Sequence, residues 1–237
     1  MGGIVKLTID GKTVEAPAGT LVINAAKSAG IEIPAFCYYD GLALQAACRM
    51  CLVEVEKAPK LLTACTLPVQ EGMVVHTESP VVVEARKAML EFLLTNHPLD
   101  CPVCDKGGEC ELQDMTFRYG AGESRFLEQK VHTEEKQFSP LVYFDAPRCI
   151  LCYRCVRICD EGLGVKALGV VHRGVFTEIG PNRGDHLFCD ECGMCIDICP
   201  VGALTSGKYR YVTRPWEMEH AGTICAHCSN GCKTTLG

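Results

Sequence analysis

Cys149-Ile150-Leu151-Cys152-Tyr153-Arg154-Cys155-Val156-Arg157-Ile158-Cys159 and Cys189-Asp190-Glu191-Cys192-Gly193-Met194-Cys195-Ile196-Asp197-Ile198-Cys199-Pro200 repeat one pattern, C-x2-C-x2-C-x3-C. Self-similarity of this kind is the mark of a duplicated unit. Within each run four thiols crowd into eleven residues, and C-x2-C spacing suits a bound metal better than paired disulfides. Residues 141–210 are therefore expected to fold as a duplicated, metal-stapled module.

Working outward, the other cysteines of the eighteen also fall into groups. Cys37, Cys48, Cys51 and Cys65 are spaced C-x10-C-x2-C-x13-C; Cys101, Cys104 and Cys110 follow His97; Cys225, Cys228 and Cys232 are spaced C-x2-C-x3-C. Together these groups use every cysteine and leave none as a nucleophile. Disulfide frameworks belong mostly to short exported chains. This one has 237 residues, and Met1-Gly2-Gly3-Ile4-Val5-Lys6 has none of the parts of an export signal. Zinc is the serious competitor, because thiolates in C-x2-C pairs are its preferred ligands too. The paired runs point instead to iron–sulfur clusters, and in two-cluster bacterial ferredoxins the fourth cysteine of each run ligates the other cluster. That crossing assigns Cys149, Cys152, Cys155 and Cys199 to one [4Fe–4S] cluster, and Cys189, Cys192, Cys195 and Cys159 to a second.

Composition narrows the function further. Apolar residues make up 48% of the chain, a figure inflated by cysteine, and aromatics only 7%, which favours several small modules over one large core. The formal charge is -6 and no basic tract is present, so nucleic acid is an unexpected partner. No apolar run approaches the roughly 18 residues of a membrane span. A soluble, cytoplasmic protein is expected.

Residues 4–9 alternate as a strand, Asp10-Gly11 signals a hairpin, and 12–16 reads as the returning strand. Thr20 is placed to cap a helix through Ala29 with Leu21, Ala25 and Ala26 on one face and Gly30 as its stop. Further strands are expected at Cys51–Val55 and Met73–Thr77. This is the pattern of a β-grasp module over residues 1–78. Ser79-Pro80 opens a second helix with a rough apolar stripe of Val83, Met89, Phe92 and Leu93, leading to the cysteine loop of a helical module at 79–118. Residues 119–140 are polar and without period, and read as a connecting segment; 211–237 is a short cysteine-bearing tail. The fold class is α+β.

The run Ala47-Cys48-Arg49-Met50-Cys51-Leu52-Val53-Glu54-Val55, with its long first gap, departs from the C-x4-C-x2-C of photosynthetic ferredoxins and resembles the N-terminal domain of the respiratory complex I G subunit and its hydrogenase relatives. The segment Asn96-His97-Pro98-Leu99-Asp100-Cys101-Pro102-Val103-Cys104 through Cys110, followed by Glu111-Leu112-Gln113-Asp114, resembles the [4Fe–4S] site of that family, held by one histidine and three cysteines. The resemblance covers Ile4 to about Thr205. It implies a [2Fe–2S] cluster on Cys37, Cys48, Cys51 and Cys65, and a [4Fe–4S] cluster on His97, Cys101, Cys104 and Cys110. With the two ferredoxin-like clusters the total is one [2Fe–2S] and three [4Fe–4S]. The tail spacing Cys225, Cys228, Cys232 after Arg214-Pro215-Trp216 resembles the start of the [4Fe–4S] domain that opens molybdopterin oxidoreductases, whose fourth cysteine lies further downstream. Three readings stay open there: a cluster completed by His220, His227 or a partner residue, a zinc or smaller cluster site, and a vestige of a lost domain.

No catalytic residue is assigned, since Gly162-Leu163-Gly164 lacks the third glycine of a dinucleotide fingerprint and no hydrolytic grouping or nickel-ligand pair is present. One-electron transfer is the expected role. The resemblance implies a flavoprotein partner carrying FMN that oxidises or reduces NAD(H) or NADP(H), a small [2Fe–2S] subunit, and a second redox module. Within that family two complete cysteine runs favour the hydrogenase or formate dehydrogenase side, and a short chain without a catalytic domain favours a [NiFe] hydrogenase as that module, with ferredoxin as a third participant if electrons are bifurcated. A formate dehydrogenase or transhydrogenase is the alternative, as are the detached front of a molybdopterin or [FeFe] enzyme and a zinc-stapled scaffold.

Overall fold

The computed structural model describes residues 3–226 and 229–236. Strands β1 (Ile4–Ile9) and β2 (Lys12–Pro17) form the hairpin read from the sequence, with Ile9 opposite Lys12. Asp10 and Gly11 both take left-handed backbone (φ +47 and +79), the turn whose twist matches that of the flanking strands. Helix α1 (Val22–Ser28) begins later than the capping pattern at Thr20 predicted. Thr20 O accepts the N–H of Val69 and Val22 N donates to Leu67 O, so a bridge between Leu21 and Pro68 takes the residues of the first turn.

Strands β3 (Leu52–Val55), β4 (Leu62–Thr63) and β5 (Val74–His76) complete a five-stranded sheet ordered β2-β1-β5-β3-β4, with β1 and β5 parallel. Val22, Ala25 and Ala26 of α1 pack with Leu7, Ile9, Val53 and Val75 of the sheet. Each fully buried aliphatic side chain there contributes about 1.5–3 kcal/mol.

Helix α2 (Pro80–Leu94) starts with proline in its first turn, where the missing N–H costs nothing. Its fully buried line, Val82, Arg86 and Leu90 at four-residue spacing, runs beside the expected stripe, of which Val83, Met89 and Leu93 pack half-buried against the core and Phe92 is 63% exposed. Helix α3 (Glu111–Tyr119) packs on α2 and buries Leu112 and Tyr119.

The segment expected to be a plain connector contributes β6 (Lys136–Gln137), which pairs with β7 (Val142–Phe144) and through it with β10 (Leu204–Ser206). Phe138 and Ser139 beside it are buried, and Phe138 stacks on Phe144 with ring centroids 5.2 Å apart. Between β7 and β10 lie the short helix α4 (Arg154–Arg157), the hairpin β8 (Leu168–Val171) and β9 (Glu178–Pro181), and the short helix α5 (Met194–Asp197). The tail forms the hairpin β11 (Ala221–Ile224) and β12 (Lys233–Leu236).

The duplication recurs in the backbone. Leu151 and Tyr153 are left-handed (φ +49 and +59), as are Glu191 and Gly193 (φ +49 and +76), two and four residues after the first cysteine of each run. Such alternation turns successive N–H groups toward a common centre, a concavity suited to an anionic group. Phe36, Cys37 and Met50 of the first module share a core with Leu90, Leu112, Phe144 and Cys155, so the modules are packed into one body. Among the described residues no helix is long and apolar enough to cross a membrane.

Candidate metal centres

The seventeen described cysteines are all free thiols. Cys37 lies in the loop after α1, Cys48 and Cys51 precede β3, and Cys65 follows β4; all four are buried. The N–H groups of Phe36 and Cys37 donate to Cys48 Sγ at 3.3 and 3.4 Å. Hydrogen bonds from the thiols of Cys48 and Cys65 hold the Cys37 pKa down at about 2, and their donation to Cys37 pushes their own pKa values up. A bond from Cys65 also lowers Cys51. The four thiols thus stand close enough to shift one another's titration in one buried group.

His97 is buried just beyond α2, and its Nδ1 has no hydrogen-bond partner. Burial first, and then the charge of Arg148, lower its pKa to about 4, so the ring is neutral near neutral pH. A buried ring nitrogen without a partner is costly unless something binds it. Cys101 opens a single tight turn, Cys104 is buried, and Cys110 precedes α3. Burial pushes the Cys110 thiol up to about 11, with the charges of Cys104 and Cys101 adding to it. The loop admits no larger backbone neighbours: a Cβ on Gly202 would lie 2.4 Å from Cys104 Sγ. Arg148 ties the loop to the next module, donating to both carboxylate oxygens of Asp100 at 2.6 and 2.8 Å.

The two long runs do not sort by sequence. Cys149, Cys152, Cys155 and Cys199 line one cavity together with Phe144, Ile179 and Val201. Cys189, Cys192, Cys195 and Cys159 line a second with Val142, Leu168 and Leu187. Backbone N–H groups reach sulfur in both, from Leu151 to Cys149 at 3.4 Å and from Ala167 to Cys159 at 3.2 Å. Burial pushes the thiols of Cys152 and Cys195 up to about 12. The first cavity is the better covered: Cys152, Cys155 and Cys199 are buried, whereas Cys192 of the second is exposed.

In the tail, Cys225 N donates to Cys232 O at 2.8 Å across the β11–β12 hairpin, and Asn230 Nδ2 donates to Cys232 Sγ at 2.9 Å. His220 is exposed. Cys228 and His227 lie outside the described residues.

Three buried arginines that no sequence motif singles out join these sites. Arg86 donates to Met50 O and Leu52 O beside Cys51, and to Tyr119 and Glu78. Arg154 donates to both carboxylate oxygens of Glu111, next to Cys110, and to Ala35 O. Arg157 donates to Cys37 O, Ala43 O and Cys152 O. Most of their partners lie 33 to 120 residues away, and no local pattern announces them.

Four cysteines lining each of two cavities, an orphaned buried imidazole nitrogen and a glycine pressed against a thiol fit iron–sulfur groups. Comparison with known proteins agrees. Residues 4–80 match a 2Fe-2S iron–sulfur cluster binding domain, residues 86–125 the NADH-ubiquinone oxidoreductase-G iron–sulfur binding region, and residues 139–205 the ferredoxin-like domain of NADH-quinone oxidoreductase subunit 3. The chain is 50% identical over 236 residues to the G 2 subunit of NADH-quinone oxidoreductase from Rhizobium meliloti, covering 99% of this chain and 28% of that protein. It is 49% identical over 222 residues to the mitochondrial NADH-ubiquinone oxidoreductase 78 kDa subunit of Neurospora crassa, 93% of this chain and 30% of that one. The chain thus spans about three tenths of these relatives. Among solved structures, a chain of an NAD+-reducing [NiFe]-hydrogenase in the H2-reduced state superposes with a TM-score of 0.80 at 28% identity, covering 88% of this chain and 90% of that one.

Proposed function

We infer, for a chain that carries in order the iron–sulfur domains found in the N-terminal region of the NADH-quinone oxidoreductase G subunit, that it is an electron relay of a pyridine-nucleotide oxidoreductase assembly. Iron–sulfur groups supply one-electron carriers when bound. The chain's own residues would hold them: Cys37, Cys48, Cys51 and Cys65 a [2Fe–2S] group; His97, Cys101, Cys104 and Cys110 a [4Fe–4S] group; and the crossed quartets Cys149, Cys152, Cys155, Cys199 and Cys189, Cys192, Cys195, Cys159 two more. The observation that carries this reading is the pair of cavities, each lined by three cysteines of one run and the fourth of the other.

Backbone N–H groups aimed at the sulfurs would stabilise the negative charge that reduction adds, and the apolar lining of Phe144, Ile179 and Val201 would keep water from the first quartet. His97 offers a neutral nitrogen where the other positions offer thiolates, which leaves its group one negative charge lighter. Electrons would pass between a flavin-bearing partner that oxidises or reduces NAD(P)(H) and a second redox module, and the level of identity favours an assembly of the NADH-quinone oxidoreductase kind. A hydrogenase assembly is the second reading, supported by the superposition over 90% of the hydrogenase chain.

Anaerobic iron and sulfide analysis with EPR tests the relay. Four clusters require about 14 iron atoms per chain, and a further cubane in the tail about 18. A zinc-rich, iron-poor, colourless protein would overturn it. Copurification of the tagged chain from its host separates the two assemblies, by quinone-reductase subunits on one side and a nickel-containing subunit on the other.

A further inference from the structure

Of the three buried arginines, two have a carboxylate partner: Arg86 pairs with Glu78 and Arg154 with Glu111. Among the described residues no carboxylate lies within ion-pair distance of Arg157, which is 7% exposed. A buried cation without a counter-charge is strongly unfavourable. Its hydrogen bonds run to backbone carbonyls beside two cysteine groups, and the carboxylate of Glu161 reaches only the N–H of Ala43, whose carbonyl Arg157 holds. One terminal nitrogen of its guanidinium donates to both Cys37 O and Cys152 O, the latter at 3.4 Å, the other donates to Ala43 O, and Nε donates to Tyr153 O at 3.3 Å. The guanidinium therefore stands between a residue of the first cysteine group and a residue of the first ferredoxin-like quartet, which are 115 positions apart in the chain (152 − 37). One helical turn earlier Arg154 ties Ala35 to Glu111, so α4 is pinned to the Cys37 loop at two points.

We propose that Arg157 is a positioning residue between two redox centres: it fixes the separation of the groups held by Cys37 and by Cys152, and its charge is neutralised by both of them together. This rests on the cluster assignment given above. A neutral apolar side chain of the same size would leave the carbonyls of Cys37, Ala43 and Cys152 without this donor and both anionic groups without their shared cation. Because reduction adds negative charge, a cation held between two such groups favours the reduced form of each, which raises both potentials.

The test is an EPR-monitored redox titration of the anaerobically purified full chain with dithionite, comparing wild type with Arg157→Gln, Arg157→Lys and the surface control Arg125→Gln. Arg157→Gln is expected to lower the midpoint potentials of the [2Fe–2S] signal and of one [4Fe–4S] signal, and to change the magnetic broadening between them, at unchanged iron content. The signal of the His97 group should stay in place. Arg157→Lys, which keeps the charge but not the planar fork, is expected to recover the potentials while the broadening remains altered. Unchanged potentials and broadening in an iron-replete Arg157→Gln protein would overturn the proposal, as would an equal shift in Arg125→Gln. Should Arg157→Gln fail to hold iron, Arg157→Lys decides: altered broadening supports the proposal, and a spectrum identical to wild type overturns it. Absence of both signals from the wild type would instead overturn the cluster assignment itself.

Discussion

At an offset of forty residues each cysteine of the first long run meets its counterpart in the second, Cys149 with Cys189 through Cys159 with Cys199, and the left-handed turns coincide as well. The residues between the cysteines do not. Arg154 corresponds to Met194 and Arg157 to Asp197, so a buried basic helix in one half answers to a half-exposed helix ending in an acid in the other. The first half is wedged between the Cys37 loop and α3, while the second presents Cys192 to solvent. The cysteine spacing determines what is held, and the residues inside it determine what the held group faces. In electronic terms the two halves are expected to be unequal: the first coupled to its neighbours, the second a terminus or a contact for another chain.

The strongest way to break this pairing is to remove a crossing cysteine. Cys199→Ser belongs to the second run by sequence, but should abolish the group of the first cavity, with a loss of about four iron atoms and the EPR signal of the buried cluster. Loss of the exposed cluster instead would show that ligation is local. Next in size, slow iron removal by an anaerobic chelator should empty the Cys192 cavity before the Cys155 cavity, seen as sequential loss of two [4Fe–4S] signals and, after each stage, as early alkylation of Cys192. Simultaneous loss would mean that exposure does not distinguish the halves. Arg154→Ala should lower the stability of the reduced, iron-loaded chain by about 2 kcal/mol, because it strips Ala35 O and half-exposed Glu111 of a shared donor. Met194→Ala at the matching position should change it by about 0.5 kcal/mol. Both are read from anaerobic urea midpoints. Gly193→Ala falls between these two, at about 1 kcal/mol, for placing a side chain at φ +76. That Tyr153 already bears this conformation in the first half shows that the turn, rather than the glycine, is what the site requires.

The grouping of the thiols was legible because ligand spacing is a local property: thiols three and four residues apart can close on one centre whatever surrounds them, and the crossing of Cys159 and Cys199 expected from the ferredoxin spacing is matched by the lining of the two cavities. The strands were equally readable from alternation around Asp10-Gly11. What stayed hidden depends on distant chain. Thr20 has the composition of a helix cap, but a bridge to residues 67–69 uses it first. On α2, Arg86 looks like solvent-facing charge, and only the carbonyls of Met50 and Leu52 brought against it explain its complete burial. Arg154 and Arg157 belong to the same class, since their partners sit in a loop more than a hundred residues upstream.

The crossed lining of the two cavities also has a consequence for biosynthesis. Cys149, Cys152 and Cys155 leave the ribosome first, but their cavity is completed only by Cys199, while Cys159 must wait for Cys189, Cys192 and Cys195. At about 5–20 residues per second the nascent chain spends several seconds with one run translated and neither quartet complete. Metallation of this module would therefore come late in synthesis, and a truncation between Cys159 and Cys195 would leave neither quartet complete.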